Sequence, residues 1–109
     1  MAIPNEKDVG EALERLAETD HLVAELKRNV EVQSYLAKKQ RYIQFLDSTG
    51  NIEERKAQAE ISLDVKKHVD EYHDAIQHHE ELVNERKTLA LKIEVWRSLN
   101  SARKAGMNV

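Results

Sequence analysis

Asp47-Ser48-Thr49-Gly50-Asn51-Ile52-Glu53-Glu54 decides how this chain folds, because turn formers accumulate there between two long helical patterns. Gly50 can take a positive φ without steric cost, and the neighbouring serine, threonine and asparagine side chains can bond local backbone instead of continuing a helix. Asn51 has the chemistry of a helix N-cap, and Glu54 stands three positions on to close a capping box. Glu53 and Glu54 also bring negative charge to a first turn, where free N–H groups point. The stretch predicts a turn at residues 47–51 and a new helix from residue 52.

Upstream of the turn, Val9, Ala12, Leu16, Val23, Leu26, Val30 and Ala37 follow a three-four spacing, with Thr19 and Gln33 as its polar members. Leu36, Tyr42, Ile43 and Leu46 widen that apolar face toward the turn, and the pattern predicts a helix over 6–47. A kink at Gly10, or a separate first helix ending near Asp20-His21, fits the same pattern. Downstream, Val65, Val69, Tyr72, Ile76, His79, Val83, Ala90 and Ile93 form a comparable series, broadened by Leu82, Leu89, Trp96 and Leu99, and predict a helix over 52–104. His79 and Arg86 interrupt it as polar intrusions.

With 109 residues the chain is sized for a single helical domain, 1–109. Hydrophobic residues make up 40% but aromatics only 5%, so the apolar supply suits a thin seam between helices better than the centre of a globule. Three glycines and one proline leave long stretches free of breakers, and the 34% of charged residues suits solvated outer faces. The expected fold is all-α, an elongated antiparallel helical hairpin of coiled-coil type. At about 1.5 Å per residue the second helix would run roughly 80 Å against roughly 63 Å for the first. The overhang around Val95, Trp96 and Leu99 is therefore a candidate interaction surface, and Trp96→Ala is the substitution expected to do most harm in the C-terminal third. Surplus apolar width along both helices predicts a homo-oligomer, with a two-fold dimer forming a four-helix bundle as the favoured form.

The sequence has no cysteine, which excludes a disulfide scaffold and thiolate chemistry. No apolar run approaches the roughly 18 to 20 residues that cross a bilayer, so no membrane association is expected. Met1-Ala2-Ile3-Pro4-Asn5-Glu6 lacks the basic and apolar regions of a signal peptide, which makes the cytoplasm the expected location. His68, His73, His78 and His79 cluster with Asp74, Glu80 and Glu81, but steps of five diverge around a helix and His78-His79-Glu80-Glu81 lacks the second histidine of a zinc helix. Neither a metal nor any other cofactor is expected. Carboxylates are plentiful, yet a two-helix hairpin offers no pocket to raise the pKa of one of a pair, and no phosphate loop or nucleophile elbow is present, so enzymatic catalysis is not expected.

The net charge of −3 is unevenly distributed. Lys38, Lys39 and Arg41 before the turn would converge with Arg55 and Lys56 after it, and Arg97, Arg103 and Lys104 belong to a basic C-terminal stretch. Both groups are candidate phosphate contacts, of the sequence-independent kind that acts through counterion release. The plainer reading is that long helices carry solvated lysine and arginine, and that cations near a helix C-terminus meet its dipole favourably.

Ser34 to Lys39, Gly50 to Glu60 and Ala90-Leu91-Lys92-Ile93-Glu94-Val95-Trp96-Arg97-Ser98-Leu99-Asn100-Ser101-Ala102-Arg103 together resemble small bacteriophage-encoded helical proteins found among phage replication and recombination genes. The resemblance covers roughly residues 30–105 and rests on a turn, a helix start and a basic-aromatic helix end; residues 1–29 lie outside it. It implies an accessory role in phage DNA replication or recombination, in the host cytoplasm, with another phage protein as partner, and it carries over no catalytic residue. The expected function is a structural or protein-interaction module, with sequence-independent nucleic-acid binding as the alternative.

Overall fold

The computed structural model describes residues 3–106 and is all-α: helix α1 spans Glu6–Asp47, α2 spans Ile52–Glu60 and α3 spans Leu63–Lys104. The first helix keeps the predicted bounds and runs unbroken through Gly10 and through Asp20-His21. Asn5 and Asp8 start it reciprocally: the Asp8 N–H donates to Asn5 Oδ1 at 2.8 Å and the Asn5 N–H donates to Asp8 Oδ2 at 2.9 Å. Two of the first-turn donors are thereby satisfied.

Gly50 sits at φ 108°, and a Cβ there would collide with the Glu54 side chain. Asn51 caps α2, its Oδ1 accepting the Glu54 N–H at 2.9 Å, which is the asparagine half of the expected capping box. Around this corner the Gln58 amide donates to the Thr49 carbonyl at 2.8 Å and Arg55 Nε donates to the Gly50 carbonyl at 3.1 Å.

The predicted helix over 52–104 is corrected by a break at Ile61-Ser62. Ser62 Oγ accepts the Val65 N–H at 3.5 Å and Asp64 lies in the first turn, so the break has the polar chemistry of a helix start. Packing supplies the stronger reason. Ala59 and Val65 are both buried, yet on one continuous helix they would point about 120° apart. Turning the chain between them allows both to reach the interior.

The break also removes the expected overhang: α1 and α3 are each 42 residues long. The unequal helix lengths therefore no longer argue for an oligomer. Val95, Trp96 and Leu99 are half-buried and do not form a free patch.

The chain forms two compact units, residues 1–23 with 81–109, and residues 24–80. A seam between two helices gives each side chain only near neighbours, so contacts gather locally. The first unit buries Val9, Ala12 and Thr19 from α1 and Leu82 from α3. The second buries Ala37, Ala59, Val65 and Ala75. In each, an α1 segment lies antiparallel to an α3 segment, which makes the chain a helical hairpin. The α3 seam is shifted from the predicted phase. Ala75 and Leu82 are buried while Ala90 is exposed, so Leu82, with half-buried Leu89 and Trp96, belongs to the main seam rather than to a surplus. No helix among the described residues is long and apolar enough to cross a membrane.

Candidate functional site

In the first unit, the polar intrusions Thr19 and Arg86 turn out to be partners. Thr19 is 1% exposed, and its hydroxyl donates to the Arg15 carbonyl at 2.8 Å. Arg86 Nη1 donates to that hydroxyl at 2.6 Å and to the Leu16 carbonyl at 2.9 Å, while Nη2 pairs with the Asp20 carboxylate. A guanidinium entering a helix seam must find acceptors for its donors, and three neighbouring α1 groups supply them. Beside this cluster, Arg15 Nε and Nη2 fork onto Glu85 at 3.0 and 3.1 Å. The hydrogen bond from Arg15 holds the Glu85 carboxyl below its usual value, and the same bond raises Arg15 above its own. These contacts tie α1 to α3.

Antiparallel packing in that unit also sets opposite charges together. Residues 1–23 hold six acidic and two basic residues, and residues 81–109 hold six basic and three acidic ones. The basic C-terminal stretch is thus largely countered by the acidic start of α1. Of the three phosphate candidates here, Arg97 pairs with Glu94 at 3.3 Å, and Arg103 and Lys104 lie exposed in the last turn of α3.

In the second unit the structure brings together Lys38, Arg41 and Lys56, which line an open groove of about 350 Å³ with Tyr42, Phe45, Ala59 and Glu60. Lys39 is exposed outside it. Two of the expected phosphate contacts are engaged: Arg41 Nε bonds Glu60 at 3.0 Å, and Arg55, bonded to the Gly50 carbonyl, lies 5.8 Å from the Phe45 ring centroid in a cation–π contact. Lys56 stands 4.0 Å from Glu53. Residues 38–60 carry five cations against four carboxylates, so the turn region is close to neutral.

The histidines do not converge. His68 is half-buried, its Nδ1 without a hydrogen bond and 3.8 Å from Glu71; His73 tilts against Tyr72 at 5.8 Å; His78 is exposed and His79 half-buried. Among the described residues no three histidine or carboxylate side chains are arranged to hold a metal ion. No family model, curated protein or solved structure matches the chain.

The surplus apolar width expected along both helices lies mostly on α1. Leu13, Leu22, Val32, Tyr35, Tyr42, Ile43 and Leu46 are all exposed large hydrophobics on that helix, whereas α3 exposes Leu63 and Leu91. The spacing of Val32, Tyr35, Tyr42 and Leu46 was available as a signal, but nothing in it tells an outward stripe from an inward one.

Proposed function

We propose that this chain is a protein-interaction module whose working surface is helical, and not an enzyme. The exposed apolar stripe on α1 carries the reading, because a helix face that offers large side chains at heptad spacing is suited to another helix. The engagement of Arg41, Arg55, Arg86 and Arg97 within the chain supports it further, since a cation already paired has less to gain from a phosphate. Its working partners are proteins, and homo-oligomerisation is part of the proposal. The setting, accessory to phage DNA replication or recombination in a host cytoplasm, is proposed on the resemblance alone.

Sequence-independent nucleic-acid binding is the competing reading, favoured by the exposed Lys38, Lys39, Arg103 and Lys104. Fluorescence anisotropy with single- and double-stranded oligonucleotides over a salt series separates the two. No binding at high micromolar protein is expected. Tight binding with a steep salt slope would replace the interaction reading with the nucleic-acid one.

A further inference from the structure

We propose that the groove between α1 and α2 receives an acidic amphipathic helix of a partner protein, with apolar side chains seated against Tyr42 and Phe45 and carboxylates against Lys38 and Lys56. The proposal rests on the interaction reading and names the place and the chemistry of the partner. The groove lies wholly within the unit of residues 24–80.

Buried Ala59 and half-buried Phe45 form the bottom of the groove, and Tyr42, at 71% exposure, stands on its α1 wall. Both walls stay apolar toward the loop. Leu46 follows Tyr42 by four residues on α1 and Ile52 precedes Lys56 by four on α2, one helical turn in each case, and they are 71% and 62% exposed. A partner that laid two or three large apolar side chains along this track would remove them all from water.

Charge complementarity chooses the partner. Three cations and one carboxylate line the groove, although residues 38–60 as a whole are close to neutral. The difference is one of faces. Asp47 lies about 200° around α1 from Phe45, and Glu54 about 200° around α2 from Lys56, so both carboxylates turn away from the groove. Glu60 is taken by Arg41 at 3.0 Å, and Glu53 reaches Lys56 only at 4.0 Å with both side chains well exposed. Lys38 has no carboxylate at ion-pair distance among the described residues. An incoming acidic helix is therefore offered two lysines beside an apolar track, which is the anchor-and-rim arrangement of a helix bound in a groove.

Other occupants fit less well. A single-stranded nucleic acid needs stacking faces and carries a phosphate at every residue, but Arg55 takes one side of the Phe45 ring at 5.8 Å, and Glu53 and Glu60 would meet the phosphates. The acidic start of α1 in a second copy is no better. With Val9 buried and Leu16 half-buried, it offers Leu13 alone among the large apolar side chains of residues 6–18. The groove's volume of about 350 Å³ lies near the low end of the roughly 300 to 1000 Å³ of small-ligand sites, and its open form suits a row of side chains better than an enclosed small molecule.

The test uses the full chain and a fluorescein-labelled synthetic peptide, Asp-Glu-Leu-Glu-Glu-Phe-Leu-Glu-Glu, whose apolar residues share one helical face. Its anisotropy should rise at high micromolar protein even though chain and peptide are both net negative, and the same peptide with lysine at every acidic position should not bind. Lys38→Glu with Lys56→Glu, and separately Tyr42→Ala, should each weaken binding at least about tenfold. Lys87→Glu with Lys104→Glu makes the same change of net charge on exposed residues of the other unit and should weaken it less than about twofold. Circular dichroism should match the wild type for all three variants, because every substituted side chain is exposed. Equal weakening by the two lysine pairs, or equal binding of the lysine peptide, would overturn the groove as a site. Silence of the acidic peptide and of single-stranded oligothymidylate alike would overturn the groove too, and would leave the interaction reading to the rest of the exposed α1 face. Displacement of the acidic peptide by oligothymidylate at low salt would hand the groove to nucleic acid and overturn both readings.

Discussion

α1 and α3 have equal length and run antiparallel in the hairpin, yet α1 leaves far more of its large apolar side chains exposed. The third helix turns Val65 and Leu82 fully inward, and half-buries Leu89, Ile93 and Trp96. The first buries Val9, Ala12, Thr19 and Ala37, mostly small, and leaves seven large hydrophobics at the surface. A seam two helices wide holds only a limited side-chain volume, so bulk from one helix is matched by small residues from the other. α1 also half-buries Leu16, Val23, Leu26, Val30 and Leu36 in the seam, and its further large residues lie outside. That asymmetry is why the proposed interaction surface is placed on α1.

The sharpest way to break the comparison is to truncate one leucine from each helix. Leu82→Ala removes a side chain that is 7% exposed and should cost about 3 kcal/mol of unfolding free energy. Leu46→Ala, at 71% exposure, should change the monomer by no more than about 0.5 kcal/mol. Urea titrations followed by circular dichroism, run at a concentration where the protein is monomeric, measure both. Equal losses at the two positions would mean that the assignment of inner and outer faces is wrong.

Arg86→Ala is expected to cost about 2 kcal/mol, because it removes charge-assisted hydrogen bonds to Leu16, Thr19 and Asp20 at a partly buried site. Thermal unfolding compared with Thr19→Val would show whether the two act together: their double substitution should cost less than the sum of the singles. Strict additivity would reduce Arg86 to a surface residue with a long stem.

How much of this was legible beforehand differs from element to element. The bounds of α1 and the turn followed from local chemistry, since Gly50 and Asn51 act on backbone within a few residues of themselves. The break at Ile61-Ser62 was not legible, because its cause is the simultaneous burial of Ala59 and Val65. That is a tertiary demand that no three-four spacing displays. Taken as one helix, residues 52–104 outrun α1 and their seam falls out of phase, which leaves Val95, Trp96 and Leu99 as an uncovered end. The same register gap hid the pairing of Thr19 with Arg86, although both had stood out as polar members of a seam. The candidate phosphate contacts were legible only as cations. What sequence could not supply was the neighbour of each: Glu60 for Arg41, and the Phe45 ring with the Gly50 carbonyl for Arg55.

The two helix starts that follow the turn allow a finer comparison. Asn51→Ala should cost about 1 kcal/mol, because a well-formed cap bond is lost. Ser62→Ala should cost less, its bond to the Val65 N–H being long at 3.5 Å. Amide hydrogen exchange localises each loss, with faster exchange at Glu54 in the first variant and little change at Val65 in the second. If Ser62→Ala proved the more harmful, polar capping would outrank burial as the cause of the α2–α3 break.

The smallest expected effect concerns the exposed tie between α1 and α3, Arg15 with Glu85. Its sign can be worked out. The bond from Arg15 lowers the Glu85 pKa in the folded chain relative to its ordinary value of 4.5. A carboxyl with a depressed folded pKa lends stability above its unfolded value, and that stability disappears as the pH falls through the folded one. The raised Arg15 is the same bond seen from its other end, so it adds no second contribution, and its own titration lies far into the alkaline range. Wild type should therefore melt slightly above Glu85→Gln at pH 7, and the gap should close as the pH is taken below the ordinary carboxylate value. Salt should narrow it at neutral pH as well, because both side chains are well exposed and screened. Melting curves of the two proteins from pH 7 down to pH 3, at low and high salt, test this directly. A gap that widened on acidification would show that Glu85 holds α1 to α3 through something other than its charge.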